Sequence, residues 1–112
     1  MLHSMADLAE RRDATRVSLL SEVTVELPTG REVSATALDI SVSGISVWAP
    51  GMAPRQAVKV RLELADGSAP IEVSARVARE FESDGGSVWG MEFQGLDDET
   101  RARLSIFVTG RS

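Results

Sequence analysis

Asp39, Ser41 and Gly44 stand together in one short stretch, Leu38-Asp39-Ile40-Ser41-Val42-Ser43-Gly44. Read as a strand running into a turn, the alternation sends Leu38 and Ile40 to a core and points Asp39 and Ser41 outward together. A carboxylate then offers two acceptors and a hydroxyl offers a donor, and a glycine lets a ligand approach the backbone closely. Upstream, Arg11-Arg12-Asp13-Ala14-Thr15-Arg16 gathers three guanidinium groups, whose planar forks suit phosphates and paired acceptors. The two stretches are expected to meet over one small anionic ligand. Each has a plainer reading as well. An arginine cluster near a terminus is commonly a solvated face, and Asp and Ser commonly satisfy local backbone groups in turns. Gly44 can serve as a turn glycine under either reading.

The elements that would position these groups are strands. Val17, Leu19, Val23, Val25 and Leu27 alternate with Ser18, Glu22, Thr24 and Glu26, the pattern of a half-buried strand. Leu20 interrupts it and predicts a bend or bulge. Pro28-Thr29-Gly30 is a turn, and a second strand follows from about Glu32 to Ser41. Ile45 and Val47 begin a third strand, with Trp48 on the opposite parity. Val58, Val60, Leu62 and Leu64 mark a fourth strand, and Ile71, Val73, Ala75 and Val77 a fifth. Asp66-Gly67-Ser68 and Ser83-Asp84-Gly85-Gly86 are turn signals on either side of the fifth strand. Trp89, Met91 and Phe93 share one face of a sixth. Asp97, Asp98 and Glu99 suit a helix N-terminus, Leu104, Phe107 and Val108 give it an apolar stripe, and Gly110 is a stop. The expected fold is mainly all-β, a six-stranded antiparallel β-barrel with a short C-terminal α-helix; closure removes the sheet edges. Residues 1–9 read as a tail or short helix, 10–16 as a ligand arm, 17–94 as the barrel and 97–109 as the helix, one domain over 10–109.

Composition narrows the function. The 112 residues carry a formal net charge of -5, which argues against nucleic-acid binding because that normally wants a basic stripe. There is no cysteine and one histidine, His3, so disulfides are excluded, and neither a zinc site nor a Ser-His-acid triad has support. No apolar run approaches the roughly 20 residues of a membrane span, and Asp7 and Glu10 interrupt any signal-peptide pattern. A soluble cytoplasmic domain without membrane insertion is expected.

Taken in order, Arg12-x-x-x-Arg16, a strand, Asp39-x-Ser41-x-x-Gly44, further strands, Gly90-Met91-Glu92-Phe93 and a short helix resemble the PilZ domain, a family of bacterial receptors for cyclic di-GMP. The resemblance covers about residues 10–108 and implies the same six-stranded barrel with a C-terminal helix. It also implies roles. Arg12 and Arg16, with Arg11 as a third contact, would hold phosphate and the outer edge of guanine. Asp39 would accept from the guanine Watson–Crick edge, Ser41 would add a hydrogen bond to the base, and Gly44 would keep the turn open. Ser43 stands where many members carry a second glycine. The chemistry is coherent: guanine N1–H and its N2 amine form a paired donor edge matched by a carboxylate, while O6 and N7 suit an arginine fork.

The expected function is therefore a non-enzymatic cyclic di-GMP receptor or adaptor with no cofactor or metal. Ligand would order the arginine arm, and the signal would pass to an unidentified partner protein in motility, biofilm or exopolysaccharide control, or through a ligand-dependent dimer. The alternative is a PilZ-like protein-interaction barrel that does not use the nucleotide. An enzyme acting on cyclic di-GMP lacks both a metal cluster and a placed base. Trp89 shares parity with core residues, with stacking on a guanine as its second reading. Trp48 is expected under the arm or the terminal helix, or on a partner surface.

Overall fold

The computed structural model describes residues 15–64, 67 and 69–111, with the backbone alone at 111. Arg11, Arg12 and the expected tail over 1–9 lie outside the described residues, as do Asp66 and Ser68 of one expected turn. Six strands form the architecture: β1 (Val17–Glu26), β2 (Glu32–Ile40), β3 (Gly44–Ala49), β4 (Val58–Leu62), β5 (Ile71–Ser83) and β6 (Gly86–Gln94). All pair antiparallel and close into a barrel in the order β1-β2-β3-β6-β5-β4. One helix, α1 (Asp98–Arg111), follows. The expected six-stranded barrel with its C-terminal helix is the fold observed.

Alternation explains the barrel. Val23, Val25, Val47, Val60 and Ala75 point inward and are buried, and Leu104, Phe107 and Val108 of α1 join the same core. The weak apolar pattern of β2 also has its reason: Ala35 and Ala37 are buried, because the interior of a small barrel must mix small with large side chains. The β5–β6 connection is a two-residue hairpin. Ser83 pairs with Gly86, and Asp84 and Gly85 adopt φ of 48° and 82°, the left-handed pair that residues of this kind accept most readily.

Three register shifts depart from simple alternation. The first lies between Ser18 and Ser21 opposite β2; there Leu20 takes φ 49° and is 71% exposed, the bulge that its place in the pattern predicts. The second lies between Ala37 and Asp39 opposite β3. Leu38 is the extra residue, so it leaves the core and only Ile40 of the expected pair is fully buried. The third lies between Val77 and Arg79 opposite β6. Beyond it β5 runs on to Ser83, six residues further than the alternation ending at Val77 suggests. Trp48 also differs from expectation. It packs against the β5–β6 hairpin, donating from Nε1 to the Ser83 carbonyl at 2.7 Å.

Asp97 caps α1. Its Oδ1 accepts from the Thr100 N–H at 2.7 Å and its carbonyl accepts from the Arg101 N–H at 3.0 Å. The Thr100 backbone hydrogen bond, followed by the Thr100 side chain, holds the Asp97 carboxyl below its ordinary value of 3.8. A depressed folded-state value means that the cap stabilises fully above 3.8 and is lost as the pH falls through the lower folded value. Asp97→Ala should therefore lower the melting temperature at neutral pH. The gap between variant and wild type should close in strongly acidic buffer, a comparison that thermal melts across pH make directly.

Candidate functional site

Arg16 and Asp39, 23 residues apart in sequence, meet on the outside of the barrel. The Arg16 Nε donates to Asp39 Oδ1 at 2.6 Å, and its Nη2 donates to Ser46 Oγ at 3.3 Å. Strand register arranges this. Ser18 pairs with Asp39, Asp39 with Ser46, Ser46 with Gly90 and Gly90 with Arg79. Residues in direct register point to the same face of a sheet, so these five form one polar row across β1, β2, β3, β6 and β5. The Leu38 bulge sets that row, because one extra residue in β2 brings Asp39 opposite Ser46. Arg16 and Asp39 side chains are 34% and 37% exposed, open enough to engage a ligand. One Asp39 oxygen takes the arginine, and a carboxylate has acceptor capacity to spare.

Ser41 lies elsewhere than its parity suggests. It is fully buried. Its hydroxyl oxygen accepts from the Ser43 N–H at 3.2 Å and the Gly44 N–H at 3.1 Å, while the Ser41 N–H donates to the Gly44 carbonyl at 2.8 Å. The two seryl oxygens of Ser41 and Ser43 are 3.1 Å apart. Ser41 therefore builds the turn from inside, as Ser does in hydroxyl-stabilised turns. Gly44 has a steric reason. A Cβ there would overlap the Met91 carbonyl oxygen of β6, and the Phe93 N–H reaches the Ser43 carbonyl at 2.9 Å beside it. Ser43 keeps ordinary negative-φ backbone and is exposed, so a side chain is accommodated where many relatives have glycine.

Trp89 is 2% exposed, and its Nε1 donates to Ser87 Oγ at 2.7 Å. Enclosed in the core, its ring presents no face to a ligand. Two shallow depressions flank the polar row. One, about 390 Å³, involves Arg16, Ser43, Gly44, Glu92 and Met91. The other, about 360 Å³, lies between Leu38 and Phe81. Ser46, Arg79 and Gly90 border both. A larger depression of about 910 Å³ at the β5–β6 hairpin is lined by Glu80, Glu82 and Asp84, carboxylates that would repel a phosphodiester. Sequence reasoning missed Arg79 and Phe81. The signal that could have found them is an aromatic and a cation set between glutamates just before a hairpin turn. Among the described residues, no three His, Asp or Glu side chains gather as a metal ion would require, and no helix is long and apolar enough to cross a membrane.

Comparison with known proteins agrees with this geometry. A family model described as the PilZ domain matches residues 10–110. Among solved structures, the inhibitor of motility MotI/DgrA from Bacillus subtilis superimposes with a TM-score of 0.75 at 17% identity, covering 86% of this chain and 48% of that one. YcgR from Escherichia coli in complex with c-di-GMP superimposes with a TM-score of 0.66 at 11% identity, covering 85% and 43%. The PilZ domain of the same YcgR with c-di-GMP gives 0.64 at 13% identity, covering 86% and 87%. The chain thus spans less than half of the first two proteins and most of the isolated domain. No curated protein matches it in sequence. With the family model covering nearly the whole chain and the same barrel in each structural relative, the protein belongs to the PilZ domain family.

Proposed function

We propose that the protein is a cyclic di-GMP receptor module without catalytic activity. The observation that carries this reading is the 2.6 Å contact between Arg16 and Asp39, which joins the two halves of the motif on one exposed row. The c-di-GMP complexes of YcgR, which share this fold, support it. Asp39 accepts from guanine N1–H and the N2 amine, and Arg16 serves a phosphate or the outer base edge, with Arg11 and Arg12 supplying the remaining cations. Ser41 and Gly44 serve the site by fixing the turn that follows Asp39; a hydrogen bond from Ser41 to the base would first require its hydroxyl to leave that turn.

Ordering residues 10–16 over the ligand costs conformational entropy and creates a surface that the free protein does not present. A partner preferring that surface, or a second copy of the chain, then reads the messenger level. Control of motility, biofilm or exopolysaccharide is the process this reading favours. A ligand that binds only the folded state stabilises it by about 1.4 kcal/mol at tenfold excess over Kd. Cyclic di-GMP should accordingly raise the melting temperature by several degrees, and GMP should not. No shift at high ligand would leave a nucleotide-independent interaction barrel as the better reading.

A further inference from the structure

The polar row has an apolar companion. Phe81 pairs with Val88, and Val88 with Trp48, so these three point outward two residues along from Arg79, Gly90 and Ser46. Phe81 is 61% exposed, an unusual cost for an aromatic on an otherwise charged strand segment, Arg79-Glu80-Phe81-Glu82. Val88 is buried but stands outside the barrel core, and Leu38, expelled from that core by its bulge, borders the same depression. The groove thus has apolar side chains along one wall and Asp39, Ser46 and Arg79 along the other. Gly90 contributes no side chain between them.

Arg79 is the cation in this groove. A Cβ at Gly90 would sit 3.8 Å from Arg79 Cβ and 3.9 Å from its Nε, so the arginine leans across the glycine toward Ser46. Among the described residues no carboxylate lies within ion-pair distance of it. Asp39 and the leaning guanidinium are then separated by roughly 10 Å, about two strand spacings, the span of one purine with a hydrogen bond at either edge.

Building on the receptor reading above, we propose that this groove is a guanine subsite: Gly90 is its floor, Leu38 and Phe81 flank the base, Asp39 takes the N1/N2 edge and Arg79 reads the O6/N7 edge. An aromatic or apolar wall beside a planar base contributes stacking that any purine receives. The fork of Arg79 would contribute the selectivity, since adenine replaces O6 with an amine donor. Arg79 is thereby a specificity-determining residue outside both recognised motifs.

The test is calorimetric titration of the full chain with cyclic di-GMP, comparing wild type, Arg79→Ala, Arg79→Lys, Phe81→Ala and Glu82→Ala. The expected result is at least a tenfold loss for Arg79→Ala and a several-fold loss for Phe81→Ala. Arg79→Lys should recover little, because a point charge does not replace the fork, and Glu82→Ala should bind as wild type does. Wild-type binding unchanged by both Arg79→Ala and Phe81→Ala would overturn the subsite while leaving the receptor reading intact. Full recovery by Arg79→Lys would overturn the base-reading role, since it would make Arg79 a simple charge on a phosphate. Absence of binding by the wild type would overturn the subsite and the receptor reading together.

Discussion

Arg16→Ala should weaken cyclic di-GMP binding by ten- to hundredfold, and Asp39→Ala should do the same, with both variants folded. Each removes hydrogen bonds to or from a charged group, worth about 1.5–3 kcal/mol apiece, and every 1.4 kcal/mol is about tenfold in Kd. The cost to stability should be small. The Arg16–Asp39 pair is about one-third exposed, and ion pairs at such sites contribute roughly 0–1 kcal/mol. Asp39→Asn is the sharper variant, because it keeps the shape but replaces one acceptor with a donor facing guanine's donor edge. Urea melts alongside the titrations separate the two effects. Variants that bind as wild type does would show that the exposed row is not the ligand site; variants that unfold would show that the pair is a structural clamp.

Gly44→Ala acts through the fold. The added Cβ meets the Met91 carbonyl oxygen, a backbone atom held in the β3–β6 pairing, where Gly44 stands opposite Glu92. Neither strand can yield without disturbing the ladder. The loss should reach the upper end of overpacking costs, about 3 kcal/mol, which for a domain near this size lowers the melting temperature by more than about 10 °C. Gly90→Ala is the matched control. Its Cβ would find only ordinary contacts with Arg79, so stability should stay within about 0.5 kcal/mol of wild type. Equal effects at the two glycines would mean that the Gly44 overlap is relieved by a backbone shift.

The barrel was legible because its strands alternate cleanly and its turns carry Pro, Gly and Asp where the backbone needs them. Val58 to Leu62 and the Asp84-Gly85 hairpin illustrate both signals, and the acidic start of α1 announced the helix. Bulges were the main source of error. Leu38 reads as core in any strict two-residue period, yet the inserted residue turns it outward and aligns Asp39 with Ser46. The Ala78 bulge likewise hides the far half of β5, and with it the placement of Arg79 and Phe81 on the outer row. Leu20 was the exception, since an apolar residue on the wrong parity signals the shift by itself. Ser41 shows a further limit: alternation assigns a face, but it does not say that a hydroxyl will turn inward to satisfy the Ser43 and Gly44 amides. Pairing between Arg16 and Asp39 was anticipated from the order of the motifs, whereas their contact with Ser46 depended on a register no single sequence reveals.

The most direct test of the receptor reading is isothermal titration of the purified chain with cyclic di-GMP, with GMP and cyclic di-AMP as controls. Saturable binding at micromolar or tighter affinity, with little heat from either control, is the predicted result, and the same curve counts the nucleotides bound per chain. No saturable heat from cyclic di-GMP, or equal binding of cyclic di-AMP, would contradict a guanine-specific receptor built on Arg16 and Asp39.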